Sequence, residues 1–316
     1  FFFSSRRRHT RSSTVRGLGD VYKRQLYERP DLDPAEINPL VTLGLRNKAR
    51  LITIPTTSGT GAEVTWAIVL TDTDAQRKLG LGNRENVADI AIVDPELAMG
   101  MPPHLTADTG LDALTHAIEG YTCTWHTDMT DGLCVQAAQS VFAYLPRAVA
   151  DGGDLDARER MHNAATLAGL GFGNSMASMA HALGHALGAA FHVPHGRAVG
   201  IFLPYTIEFN AREAPERFAQ IAQYILGLSD AGYEAKDARI AARSLASRIR
   251  QLCVEIGVPT HLRALGLAPG NYEAHLDKLV DDAFNDTSMM TAARPPSYDE
   301  LRQIFRYAYE GREIDF

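Results

Sequence analysis

The chain has 316 residues, 45% apolar and 22% charged, with a net charge of −7, and no apolar run reaches the length of a membrane span. Seven of its 31 basic residues (Arg6, Arg7, Arg8, Arg11, Arg16, Lys23, Arg24) fall within residues 1–25 against one acid, Asp20, so the remainder carries 24 basic and 37 acidic residues, a net −13. An acidic body excludes nucleic acid and an anionic membrane as partners. Three scattered cysteines (Cys123, Cys134, Cys253) without C-x-x-C spacing exclude a thiolate metal site and point to a reducing, cytoplasmic setting.

Residues 1–25 have no periodicity and differ in composition from the rest. They read as an organellar transit peptide, as a basic disordered arm, or as a non-native segment. Ser4 to Gln25 resembles translated sequencing-adapter read-through, and the missing Met together with the abrupt change at Leu26 favours that third reading. From Leu26 the elements follow in order. Asp33 and Pro34 predict an N-capped helix through about Leu45. Leu51 to Ile54 predicts a buried strand ended by Pro55. The loop Thr56-Thr57-Ser58-Gly59-Thr60-Gly61-Ala62-Glu63 follows that strand and is either an anion cradle of backbone N–H groups and hydroxyls or a surface turn. Ala67–Thr71 and Lys78–Leu81 predict a hairpin, and Asp89–Val93 a second buried strand.

After Pro102-Pro103 only helical patterns appear, over 105–121, 129–149, 155–170, 176–190, 199–209, 216–226, 235–256, 272–284 and 298–309. The expected organisation is a non-native or disordered segment 1–25, a partial α/β dinucleotide-binding domain 26–102 and an all-helical metal-binding catalytic domain 103–316. The fold class is thus an α/β remnant of a dinucleotide-binding domain followed by an all-α metal-binding domain.

The chemistry lies in two stretches. Four of the 11 histidines (His181, His185, His192, His195) stand within 15 residues, and His181 and His185 share a helix face. Asp112 and His116 form another i, i+4 pair on an otherwise apolar helix, where an unpaired carboxylate is costly to bury. Convergent neutral imidazoles and one carboxylate suit a divalent ion such as Fe(II) or Zn(II). Spacing alone leaves open whether His185 or His192 is outside the ligand set.

Ile54 to Thr65, Val93-Asp94-Pro95-Glu96-Leu97, Leu105 to Glu119 and His181 to Gly196 together resemble the iron-containing (group III) alcohol dehydrogenase family, of dehydroquinate-synthase-like fold, and the resemblance runs over about residues 26–316. It implies metal ligands at Asp112, His116, His181 and His195, and a catalytic proton relay at His185. It implies cofactor contacts from Thr56, Thr57 and Thr60 with Thr65 behind them and Lys78 near the ribose, and a pocket-lining role for Phe172, which reads equally well as a core residue. The cofactors implied are iron (or zinc) and NAD or NADP. The partners are a small alcohol or its aldehyde or ketone and further copies of the chain in a homo-oligomer. The reaction is hydride transfer between alcohol and nicotinamide, with the metal polarising the substrate oxygen. The rival readings are a non-redox metal-dependent lyase or hydrolase, and an inactive metal-binding fragment. The family's Gly-Gly-Gly-Ser pyrophosphate turn does not occur here, and Ala67 replaces a residue that is polar in some members. The chain is therefore expected to bind metal but nicotinamide only weakly: titration with NADH, followed by nicotinamide fluorescence, should show no micromolar binding, and micromolar affinity contradicts the expectation.

Overall fold

The computed structural model of the chain describes residues 25, 27–31, 41–72, 77–227 and 235–316, the side chains of 71–72, 77–80 and 235–237 excepted. Most of the helix expected from Asp33 lies outside the described residues, and its end at 41–45 is irregular backbone instead. Gly44 there takes a φ of 69°, and the Leu43 and Leu45 amides donate to the Glu85 carboxylate at 3.0 and 3.1 Å. A charged acceptor forty residues away therefore replaces the carbonyls that a helix would have offered.

Among the described residues, four short strands precede residue 92. β1 (Ile52–Thr53) pairs in parallel with β4 (Ile90–Ala91), and β2 (Ala67–Asp72) pairs antiparallel with β3 (Arg77–Gly82) as the expected hairpin. The first pair departs from its sequence reading. Ile52 faces Ile90 in register, and Ile52, Ile54, Ile90 and Ile92 are each 46–53% exposed rather than buried. Side chains two apart share a face of a strand, so these isoleucines form one apolar surface that no described element covers.

The helices follow: α1 (Pro103–Thr122), α2 (Asp128–Ala150), α3 (Leu155–Asn174), α4 (Met179–Phe191), α5 (His195–Asn210), α6 (Pro215–Leu226), α7 (Ala235–Glu255), α8 (Pro269–Phe284) and α9 (Tyr298–Glu310). Their starts carry recognisable caps. Thr127 and Thr130 form a reciprocal box at α2, Ser297 and Glu300 another at α9, and Asp154 caps α3. Helix α1 is buried on every side from Thr106 to Thr122 except Thr109, with α2, α3 and α5 packed around it. Its Leu111, Leu114 and Ile118 join Leu145, Met161 and Phe202 in one apolar cluster. A helix wrapped in this way has no polar face, so every polar residue on it must find its partner inside the protein. No helix among the described residues is long and apolar enough to cross a membrane, and the three cysteines are free and buried.

The hydroxyl-rich loop after β1 is the joint between sheet and helices. Ser58 Oγ meets His162 Nδ1 of α3 at 2.8 Å, and Thr166 Oγ1 of α3 donates to Glu63 Oε1 at 2.6 Å. Between these bonds Gly61 takes a φ of 60°, and a Cβ on it would lie 2.6 Å from the Gly169 Cα. Gly61→Ala adds left-handed strain to overpacking and should cost about 2–4 kcal/mol. Urea unfolding is the measurement, with Gly100→Ala as the control because a Cβ at that position would meet nothing within 4 Å. Equal midpoints for the two variants contradict this account of the joint.

Candidate metal centre

Helix α1 carries Asp112, His116 and Glu119 at i, i+4 and i+7, along one side. His181 lies in the first turn of α4 and His195 is the first residue of α5. The helix expected over 199–209 begins earlier, at His195, with Pro194 the residue just outside it. Helix α5 can reach α1 because residue 196 is glycine: a Cβ there would stand 2.0 Å from the Asp108 carbonyl oxygen and 3.1 Å from Asp112 Cβ.

These elements aim three imidazoles at one carboxylate oxygen. Asp112 Oδ1 lies 3.8 Å from His116 Nε2, 3.8 Å from His181 Nε2 and 3.4 Å from His195 Nε2. Asp112, His116 and His181 form a tight buried trio whose donor atoms lie within 4.8 Å of one another. His195 approaches from the accessible side, with its side chain 31% exposed where that of Asp112 is 3%. Donors sharing a tetrahedral ion at about 2.0–2.2 Å stand about 3.3–3.6 Å apart. The three distances to Asp112 Oδ1 match this within a few tenths of an ångström. Asp112 Oδ1 and His181 Nε2 have no hydrogen-bond partner among the described residues. Buried polar atoms left this way are rare without an ion or water, so the residues present fit a divalent metal.

The electrostatics point the same way. Burial opposes the Asp112 charge, but His116 and His195 outweigh it and hold its carboxyl well below the usual range. Burial pushes His116 down to about 3 and lowers His195, which keeps both imidazoles neutral and able to donate a lone pair. In His181 burial opposes the charge, yet the Glu119 and Asp112 carboxylates outweigh it and raise the pKa to about 10, so without an ion the ring is a cation and a metal at Nε2 would take the place of that proton.

Two carboxylates behind the centre were not singled out in the sequence. Glu119 Oε2 accepts from His181 Nδ1 at 2.5 Å, and Asp286 Oδ2 stands 2.8 Å from His185 Nδ1. Glu119 carried a signal, its register with Asp112 and His116. Asp286 carried one only as a turn former: it caps the 3-10 turn Thr287–Thr291 by accepting from the Ser288 amide at 2.8 Å. His185 is buried beside the trio, stacked on His195 with ring centroids 5.2 Å apart. His192 is exposed and closes α4 in the left-handed conformation, φ 55°, away from the cluster. Phe172 lies flat against His116, with centroids 4.0 Å apart and planes 8° apart, and forms a wall of the site.

The loop of expected cofactor residues abuts this centre. A Cβ on Gly59 would meet Thr109 Cβ at 2.6 Å, less than a turn before Asp112, and the Gly59 carbonyl lies beside the His116 ring. Thr56 is exposed, Thr57 and Thr60 are half-buried, and Thr60 Oγ1 accepts from the Ala62 amide at 3.2 Å. Thr65 is buried behind them against Gly173. The Lys78 backbone lies in β3, and its side chain is outside the described residues.

One carboxylate and three imidazoles on crossing helices, beside an α/β segment with a hydroxyl-rich loop, are a donor set that would suit a single divalent metal ion. Residues 106–309 match the Fe-containing alcohol dehydrogenase family, C-terminal, and residues 27–95 match the iron-containing alcohol dehydrogenase family. The chain belongs to the iron-containing alcohol dehydrogenases, which sets aside the lyase and hydrolase readings. It is 39% identical over 291 residues to the NADPH-dependent butanol dehydrogenase of Clostridium saccharobutylicum, covering 92% of this chain and 73% of that protein. Its fold matches the alcohol dehydrogenase from Oenococcus oeni with a TM-score of 0.84 at 30% identity, over 93% of this chain and 74% of the other. The sulfoacetaldehyde reductase from Bifidobacterium kashiwanohense, solved in complex with NAD+, matches with a TM-score of 0.70 at 34% identity, over 82% and 64% of the two chains.

Asp286 gives a test by pH. Burial opposes its charge, but His185 and the Ser288 bonds outweigh this and hold its pKa at about 2, below the 3.8 of an unperturbed carboxyl. A depressed folded-state pKa stabilises the fold above the unfolded value, and that stability is lost as pH falls from about 4 to about 2. Asp286→Asn should therefore lower unfolding free energy by about 2 kcal/mol at neutral pH. Denaturant titrations on descending pH should show the difference from wild type shrinking below pH of about 4. A difference that stays constant with pH contradicts the assignment.

Proposed function

We propose that Asp112, His116, His181 and His195 hold a divalent iron ion and that the centre interconverts a small primary alcohol and its aldehyde with NAD or NADP. The observation that carries this reading is the convergence of three Nε2 atoms on the one buried Asp112 oxygen. When bound, the metal supplies Lewis acidity at a substrate oxygen, and the nicotinamide gives or takes a hydride. Asp112 offsets only part of a divalent charge, so the centre keeps the positive potential that a developing alkoxide requires. His185, whose Nδ1 faces Asp286, keeps Nε2 buried and, among the described residues, without a hydrogen-bond partner, where it can accept the alcohol proton or return it to the aldehyde. Phe172 excludes water from one flank.

Thr56, Thr57 and Thr60 are proposed to contact the cofactor, with Thr65 behind them and Lys78 beside the ribose. The loop's packing against α1 supports this, since Gly59 stands against Thr109 and beside the His116 ring. Butanol dehydrogenation and NADPH dependence in the clostridial relative, and bound NAD+ in the bifidobacterial one, support a nicotinamide-linked alcohol or aldehyde reaction. A cytoplasmic, reducing setting suits the three free cysteines, and a homo-oligomer is proposed on the family resemblance. Purified chain loaded anaerobically with Fe(II) should retain about one ion per chain after desalting. Asp112→Ala should retain less by more than about tenfold while its far-ultraviolet circular dichroism stays that of wild type. Undiminished iron in that variant contradicts the proposed ligand set.

A further inference from the structure

Helix α4 begins without a cap of its own, since the Ser178 side chain makes no capping bond. The acceptor comes instead from α1. Glu119 Oε1 accepts from the Ala180 amide at 2.5 Å, and its Oε2 accepts from the Ser178 amide at 2.9 Å. Oε2 also accepts from His181 Nδ1 at 2.5 Å. Three donors thus surround one buried carboxylate, and two of them are amides left free at the start of the helix that carries His181.

We propose that Glu119 is a positioning residue for the metal centre, capping α4 from the neighbouring helix and holding the His181 proton on Nδ1 so that Nε2 faces Asp112 as a lone pair. The inference rests on the reading of His181 as a metal ligand. A neutral imidazole carries one N–H, and which nitrogen holds it follows from the partner of the other. A carboxylate can only accept, so it dictates Nδ1–H. An isosteric amide cannot satisfy the same three donors. With its NH2 toward His181, it would draw a lone pair to Nδ1 and move the proton to Nε2, the atom aimed at Asp112 Oδ1. With its NH2 toward Ala180, it would set donor against donor and open the first turn of α4, which carries His181.

The test uses zinc, which is diamagnetic, and the whole chain. In zinc-loaded wild type, long-range 15N–1H spectra should show His181 protonated at Nδ1 and coordinated through Nε2. Competition against a chromophoric chelator should show Glu119→Gln binding zinc about 10–100-fold more weakly than wild type. Zinc affinity within about twofold of wild type in Glu119→Gln, or a wild-type His181 without a proton on Nδ1, overturns the proposal. Asp112→Ala, titrated in parallel, separates this failure from that of the ligand set: if it loses zinc while Glu119→Gln does not, the ligands stand and the positioning role falls. Should Glu119→Gln fail to fold, the wild-type spectrum still decides.

Discussion

A carboxylate at the centre of a helix with no polar face is the constraint on which the rest depends. Asp112 is 2% exposed, and an isolated charge in such surroundings is expensive enough to force protonation or rearrangement. The helices around it are placed to meet that cost. His116 comes from one turn along the same helix, His181 from the start of α4 and His195 from the start of α5. The close approach needs glycine at 196, where any Cβ would press into the Asp108 carbonyl. Packing and charge compensation are therefore a single problem in this domain, and a cation held as proposed among the four side chains would solve both.

The histidines divide by what stands behind them. His181 is backed by Glu119 on α1 and His185 by Asp286 at the turn following α8, so these two, four apart on α4, face different carboxylates. His116 and His195 have no such carboxylate and are kept neutral by burial. His116 meets an aromatic face instead of an acid, so its ring is oriented by stacking on Phe172. The Ser58–His162 and Glu63–Thr166 bonds then fix the threonine loop on α3, beside the same centre.

Much of this was legible in the residues. Helical periodicity located all nine described helices, because long amphipathic or small-residue patterns report directly on a helical core, and Asp112, His116, His181 and His195 stood out by spacing and by family resemblance. Glu119 was visible in register but silent about role, since accepting from the start of another helix depends on how α1 and α4 cross. Asp286 was further out of reach: its local pattern describes a turn, and its histidine lies about a hundred residues away. The strand assignments at Ile52 and Ile90 were right in type and wrong in burial. Runs of isoleucine report that a face is apolar, and only the arrangement of neighbours decides whether it is covered.

Four side chains from three helices are proposed to share one ion. X-ray absorption at the iron edge, on chain loaded with one equivalent of Fe(II), measures this directly. The account predicts a first shell of light atoms with three imidazole scattering patterns and a carboxylate oxygen, at about 2.0–2.2 Å. A shell containing only solvent oxygens, or fewer than two imidazoles, would contradict it.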